Sequence, residues 1–393
     1  MNRPREDAEA ASKKRPNLFL RSVLFLVTFA LVAGAVVLVV FRDKLNIDAF
    51  RRSLTYHTIT ANEDGQAELI THPGGSKVDF AALGDAYLIC SSTGIRLYTA
   101  GGTQFYERVA SMEHPSLTAG NVLAAVYNVG GDSVYVYNSK EECAVLSTDG
   151  DHSILSARMN PSGYLAVTAE ASGYKAAVTV YSPKQEKRMQ LNFSSAFVMD
   201  AAVSSGDRGV AVVTLGQENG AFESRLNLYT LDSEEAALNV SLGNTTVLDL
   251  RYDDSLVWTV GESALVTTAV SNGEQHRYDF SGLYLKDFSL GGDDFAALLL
   301  GRYRAGSSSD LIVVNQNGEE RTRLALSEQV RSISASGRYI AVLTADRLTI
   351  YTANDLEVYS TLSDLQSIRS VVMRADGSAI LVGGSTAKLY LPS

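Results

Sequence analysis

The chain has 393 residues, 46% apolar and 20% charged, with a formal charge of −10. Such a composition buries a large core, which excludes an intrinsically disordered chain. The acidic balance argues against nucleic-acid binding, whose affinity comes largely from cations meeting phosphates, and two cysteines without CxxC spacing make neither a disulfide framework nor a zinc site.

Residues 1–21 form a short tail with six cations: Arg3, Arg5, Lys13, Lys14, Arg15 and Arg21. Residues 22–41, opening at Ser22 and closing at Phe41, read SVLFLVTFALVAGAVVLVVF and carry no charge. Twenty helical residues rise about 30 Å, the thickness of a bilayer's hydrocarbon core. A cleaved signal peptide has an apolar region of only about 7–15 residues. Ala33-Gly34-Ala35 mimics a cleavage site, but the apolar run continues through Val36 to Phe41. The segment is therefore expected to be an uncleaved span that meets the lipid bilayer. Four cations follow it (Arg42, Lys44, Arg51 and Arg52) against six before it. That bias favours a cytoplasmic N-terminus and an extracytoplasmic remainder. Residues 42–65 read as a polar stalk.

From residue 66 onward a degenerate repeat fills the chain. Its unit is an apolar strand, a small polar turn, a second apolar strand, a loop, a strand ending in an apolar residue and Tyr, and a weaker strand. SISASGRYIAV from Ser332 leads to Leu348-Thr349-Ile350-Tyr351. SARMNPSGYLAV from Ser156 leads to Val178-Thr179-Val180-Tyr181. SVVMRADGSAIL from Ser370 leads to Ala387-Lys388-Leu389-Tyr390. The first turns fall at 84, 120, 163, 206, 254, 292, 337 and 377. Spacings near 40 with four short strands per unit predict an all-β propeller of eight blades, with seven as the alternative because the Asp254 copy is degenerate. The last copy ends at Pro392-Ser393 without a fourth strand, while QAELIT (Gln66–Thr71) is a spare strand upstream of the first. The two are expected to pair and close the ring, hiding edges that template aggregation. The recurrent Tyr is expected to pack its ring between blades and keep its hydroxyl hydrated.

The stretch Met159-Asn160-Pro161-Ser162-Gly163-Tyr164-Leu165-Ala166-Val167 resembles the hairpin of distant WD40-like and TolB-like repeats. The sequence departs from true WD40 repeats, having no Trp-Asp or Gly-His dipeptide, and its single Trp258 departs from quinoprotein propellers. Basic tail, one span and a divergent ring together resemble a family of bacterial membrane-anchored propellers catalogued as a domain of unknown function. The resemblance implies a fold and an envelope location, not a reaction.

No catalytic motif occurs. The histidines, His57, His72, His114, His152 and His276, make no HExxH, and no Walker, GxSxG or GxGxxG sequence is present. No cofactor or metal is expected, and the chain is not read as an enzyme. Asp253-Asp254 and Asp293-Asp294 sit where the repeat needs turn formers. Cys90, in an apolar strand, is expected to be a buried thiol; a Cys90–Cys143 disulfide is left open. Three lengthened connections between second and third strands stand out: 169–175, 216–225 and 301–310. All emerge on one face of a propeller, which places Tyr174, Lys175, Glu218, Phe222, Glu223, Arg302, Tyr303 and Arg304 there. Aromatic and Arg side chains are enriched at binding hot spots. The expected function is a scaffold that binds a protein or an envelope component; a ligand sensor or a glycan-active enzyme using the channel is the alternative.

Overall fold

The computed structural model describes residues 61–392 apart from 73–76, 85, 100, 149, 151 and 219, together with 23–29, 32, 48, 49, 52, 55, 56 and 59. The chain divides into two compact units, Met1–Thr55 and Tyr56–Ser393. In the first, residues 23–29 are helical and exposed. Most of the span expected over 22–41 lies outside the described residues. Among the described residues, no helix is long and apolar enough to cross a membrane.

The second unit is an eight-bladed propeller. Strand β1 (Gln66–Thr71) precedes the first blade, which is β2 (Asp79–Leu83), β3 (Ala86–Ser91), β4 (Gly94–Thr99) and β5 (Gln104–Val109). Blade 2 is β6 (Pro115–Ala119), β7 (Ala124–Asn128), β8 (Ser133–Tyr137) and β9 (Glu142–Ser147). Blade 3 is β10 (Ile154–Met159), β11 (Leu165–Ala171), β12 (Tyr174–Tyr181) and β13 (Lys187–Phe193). Blade 4 is β14 (Phe197–Val203), β15 (Gly209–Glu218), β16 (Ala221–Thr230) and β17 (Leu238–Gly243). Blade 5 is β18 (Val247–Tyr252), β19 (Leu256–Gly261), β20 (Ala264–Ala269) and β21 (Gln275–Asp279). Blade 6 is β22 (Tyr284–Ser289), β23 (Phe295–Gly301), β24 (Ser309–Asn315) and β25 (Glu320–Leu326). Blade 7 is β26 (Ser332–Ser336), β27 (Tyr339–Leu343), β28 (Leu348–Thr352) and β29 (Val358–Leu362). Blade 8 is β30 (Ile368–Met373), β31 (Ala379–Gly383) and β32 (Thr386–Tyr390), completed by β1 in the order β1-β32-β31-β30.

Each of the eight first turns read from the sequence joins the first and second strands of a blade. Gly163 shows why a glycine is needed: its φ is 94°, and a Cβ there would stand 2.9 Å from the Leu123 side chain. The Asp254 copy is a full blade, which settles the count at eight rather than seven. Its turn uses side chains instead of glycine: Asp253 accepts hydrogen bonds from Arg251 Nε at 2.8 Å and Trp258 Nε1 at 3.1 Å.

The ring closes as the sequence predicts. β1 runs antiparallel to β32, with Gln66 opposite Tyr390 and Thr71 opposite Thr386. Small and branched side chains on the broad strand faces meet the next blade, so apolar burial is concentrated at the eight junctions. The closing junction joins Ala67 and Ile70 of β1 with Ile380 and Leu389 of blade 8 and Phe80 and Tyr87 of blade 1. Tyr56 belongs to the same cluster.

The recurrent Tyr does pack between blades, but its hydroxyl is not simply hydrated. Tyr137 OH donates to Glu142 Oε2 at 2.9 Å, and Tyr106 OH of blade 1 donates to the same oxygen at 3.0 Å. Arg108 donates to both Glu142 oxygens at 2.6 Å, Nε to one and a terminal nitrogen to the other. Tyr390 OH lies 2.6 Å from Ser360 Oγ of blade 7. The Tyr106 hydroxyl ties the outer strands of blades 1 and 2, and the Tyr390 hydroxyl ties β32 to the outer strand of blade 7. At a blade edge a buried oxygen is stabilised more by a fixed partner than it costs to order one.

The Arg108 guanidinium holds the Glu142 carboxyl below the usual carboxylate range, opposed by burial and helped by the two hydroxyls. A depressed carboxyl contributes stability that is present above its unfolded value and lost as pH falls through the folded one. Arg108→Ala is therefore expected to cost about 1–2 kcal/mol at neutral pH. Urea unfolding should show the gap from wild type closing below about pH 4, where the unfolded glutamate itself protonates. A gap that is constant with pH would remove the electrostatic account.

Candidate functional site

Antiparallel blades give the ring two unlike faces. The turns between first and second strands lie on one, here the turn face. The second-to-third hairpins and the links between blades lie on the other, the hairpin face. The innermost strands line the channel.

Four innermost strands carry an aspartate: Asp79, Asp200, Asp249 and Asp287. Each accepts a hydrogen bond from the next residue's N–H, at 2.8–2.9 Å. In blades 3, 4, 5, 6 and 8 a bulge interrupts the ladder just before this position, at Ile154/Ser156, Val198/Asp200, Val247/Asp249, Leu285/Asp287 and Ile368/Ser370. A bulge re-aims side chains and frees backbone groups, which Asp200, Asp249 and Asp287 then satisfy. Side chains of the innermost strands also reach the neighbouring blade. Asp287 Oδ2 accepts from Ile333 N–H at 2.8 Å, Ser289 Oγ from Ala335 N–H at 2.9 Å, and Ser334 Oγ from Met373 N–H at 3.0 Å.

Arg158 of β10 binds Asp200 Oδ2 of blade 4 at 2.5 Å and also reaches Asp249 of blade 5. One cation thus spans three successive blades. Burial pushes the Asp249 carboxyl up, with Arg158 pulling it back down. Burial likewise raises Asp79 and Asp287, opposed by backbone N–H donors. These carboxylates are spent on N–H groups and on Arg158. The sequence repeat shows no consistent set of inward carboxylates at the starts of the first strands. A signal is nonetheless present, as an Asp five or six residues before the first turn in four blades, flanked by apolar residues in Val78-Asp79-Phe80, Met199-Asp200-Ala201 and Leu248-Asp249-Leu250. Toward the turn face the channel holds a cavity of about 610 Å³, with Asp79 and Arg374 as its charged groups.

The residues expected on the hairpin face are there, in a different setting. Residues 216–225 are not a loop. They are the tip of a ribbon in which β15 and β16 pair out to Glu218 opposite Ala221. Residues 169–175 are also mostly strand, with Ala171 opposite Tyr174. Alternating side chains long enough to keep the ladder going extend these strands, and the length of a connection alone does not reveal that. Only the third connection, 302–308, is irregular, and Lys286 Nζ holds it by donating to Gly306 O at 2.7 Å and Ser308 O at 3.1 Å.

Tyr174, Phe222 and Tyr303 are exposed, the last two at 66% and 74%. Arg302 and Arg304 are exposed beside Tyr303. Lys175 is engaged within the fold: its Nζ lies 4.4 Å from the centre of the Phe197 ring and donates to Ser195 O at 3.1 Å. Glu223 is half-buried and faces Arg225 at 3.3 Å, as Glu218 does at 3.2 Å. The structure adds exposed Leu155, Phe197, Leu248 and Tyr284 at the hairpin-face ends of innermost strands in blades 3–6. The short turn between β19 and β20 of blade 5 separates the ribbon of blade 4 from the loop of blade 6, so these side chains follow an arc rather than one spot.

Cys90 is fully buried and Cys143 exposed, and both are free thiols. His57 lies outside the described residues. Among the described residues, no group of three or more His, Cys, Asp or Glu is placed to hold a metal.

A propeller that closes on Gln66 matches one family in its extent. The chain belongs to the DUF5711 family. That family, described as one of unknown function, matches residues 65–387. None of the curated proteins compared with this DUF5711 chain matches it in sequence. Its fold is similar to that of the computationally designed Ika8 protein, at a TM-score of 0.62 and 12% identity over 82% of this chain and 99% of that one. It is also similar to BamB from Moraxella catarrhalis, at a TM-score of 0.51 and 12% identity over 83% of this chain and 98% of that one. Likeness at that identity establishes the propeller and carries no activity.

Proposed function

We propose that this DUF5711 protein is a single-pass membrane protein whose propeller stands outside the cytoplasm. There it acts as a scaffold that binds a protein or an envelope component through its hairpin face. The observation that carries the binding reading is the run of exposed aromatic side chains on that face, with Phe222 and Tyr303 the most open. Large apolar side chains left in water on a rigid ring are typical of interaction sites. Tyr56, the first residue of the propeller unit, sets its hydroxyl 3.2 Å from Ser378 Oγ in a turn-face turn. The anchoring rests on the uncharged residues 22–41 and their basic flank.

The channel favours the enzyme alternative less. A glycosidase needs two carboxyls free to act as acid and base or nucleophile. Here Asp200 and Asp249 share Arg158, while Asp79 and Asp287 cap backbone N–H groups.

Crosslinked pulldown of the full-length protein from membranes tests this reading. The triple variant Phe222→Ala, Arg302→Ala, Tyr303→Ala is expected to lose its captured partners by about tenfold or more. An unchanged partner set from a membrane-bound, folded variant would sink the hairpin-face reading. Full-length protein found in the soluble fraction would sink the anchor.

A further inference from the structure

The junctions between blades share one architecture, and the chain fills them differently. In blade 7, Val342 pairs with Thr349, and two residues before Thr349 stands Arg347. Arg347 lines a cleft against blade 6 and pairs with Glu328 at 3.3 Å. In blade 4 the equivalent ladder pairs Val212 with Asn227. Arg225 takes the same place there, held by Asn239 Oδ1 at 2.7 Å and by Glu218 and Glu223. In blade 1 the arginine stands two residues further along, Arg96 opposite Ile89, and pairs with Glu107 at 2.7 Å. Three blades thus carry an arginine at the third strand paired with a carboxylate, and Arg347 is the one that lines a cleft between blades.

Blade 3, like blade 5 with Ala264, carries alanine in the place of Arg347. Its ladder pairs Val167 with Thr179, and two residues before Thr179 stands Ala177. On the facing outer strands Leu146 and Thr148 take the places of Leu324 and Leu326, and Tyr181 matches Tyr351. The cleft between blades 2 and 3 accordingly measures about 310 Å³, against about 130 Å³ where Arg347 occupies its own. Glu170 lies at the rim, with the amides of Gln190 and Asn192 beside it. Tyr174 also lines it, so the cleft opens on the hairpin face.

We propose that this cleft receives an arginine side chain from a partner polypeptide. The inference rests on the scaffold reading and names the chemistry of its partner. An arginine stem lies along Leu146 and Val167 as an apolar body. Its planar fork reaches the Glu170 carboxylate, as Arg347 reaches Glu328. The propeller unit attracts such a segment, because residues 56–393 carry 24 Lys and Arg against 39 Asp and Glu.

The test is ligand-observed NMR titration of the full-length protein in micelles with acetyl-Gly-Arg-Gly-amide and its Lys and Gln counterparts. The Arg peptide should bind, and the neutral Gln peptide should bind at least about tenfold more weakly. Ala177→Arg fills the cleft from within and should abolish Arg-peptide binding. Glu170→Gln, at an exposed position that tolerates change, should weaken it about five- to tenfold. No binding by wild type, equal binding of the Gln peptide, tighter binding of the Lys peptide, or binding that survives both substitutions would each overturn the proposal. If Ala177→Arg does not fold, Glu170→Gln decides. If the Phe222, Arg302, Tyr303 variant keeps its partners while the peptide binds this cleft, the aromatic reading fails and the cleft assignment stands. If that variant loses its partners while no peptide binds, the cleft assignment fails and the aromatic reading stands.

Discussion

Arg158→Ala is expected to lower the unfolding free energy by about 2–4 kcal/mol, because it strands two carboxylates among the innermost strands. Removing one partner of a buried ion pair typically costs about 3–5 kcal/mol, and the channel's water moderates the loss here. The Asp200 side chain is only 12% exposed and Asp249 26%. The sign with pH follows from the Asp249 carboxyl, which burial raises. A carboxyl raised by burial favours its protonated form in the folded state, so its ionisation costs stability as pH rises through the folded value. Without Arg158 that cost is uncompensated. The deficit should therefore be largest near neutral pH and shrink toward pH 4. Adding Asp200→Asn and Asp249→Asn to the variant should recover most of it. Urea unfolding at the two pH values measures both effects. A deficit under about 1 kcal/mol at neutral pH would mean that the three blades are held together without this clamp.

Ile70→Asp is expected to be as damaging, by about 3–5 kcal/mol, because it puts a charge into the apolar cluster that closes the ring. Ile70 is 2% exposed and shares that cluster with Ile380, Leu389 and Tyr87. The harm is not only local. β1 covers the edge of β32, and a loosened β1 leaves that edge free to template association. Unfolding should come at lower denaturant, with light scattering rising before the transition. Ile70→Val, which keeps the apolar contact, should cost about 1 kcal/mol and leave scattering unchanged. If Ile70→Asp matched Ile70→Val in both measurements, β1 would not be the clasp.

These two sites differ in how visible they are in one dimension. Gln66–Thr71 is identifiable because a repeat lacking its last strand and a strand lacking its repeat are both facts of the linear sequence. Arg158 is not, since its partners lie 42 and 91 residues away. Only the curvature of the ring brings β10, β14 and β18 side by side. The aspartates show an intermediate case. Their place before the first turn recurs in four blades, yet what Asp200, Asp249 and Asp287 do depends on bulges that the pattern of apolar residues does not show. The ribbon at Gly216–Glu218 and Ala221–Glu223 reads as an insertion by length, and becomes strand only because the two arms find each other.

The sequence by itself determined the repeat, the eight first turns, the closing strand and the burial of Cys90. Each follows from local alternation, turn chemistry or simple counting along the chain. The tertiary structure alone decided which side chains meet across blades: the Arg158 clamp, the Tyr106 hydroxyl on Glu142, and the cleft at Ala177 whose counterpart at the junction of blades 6 and 7 holds Arg347. Those contacts join residues some 30 to 90 apart in sequence. Their energies depend on distance and burial, and a chain read in one dimension carries neither until the ring closes.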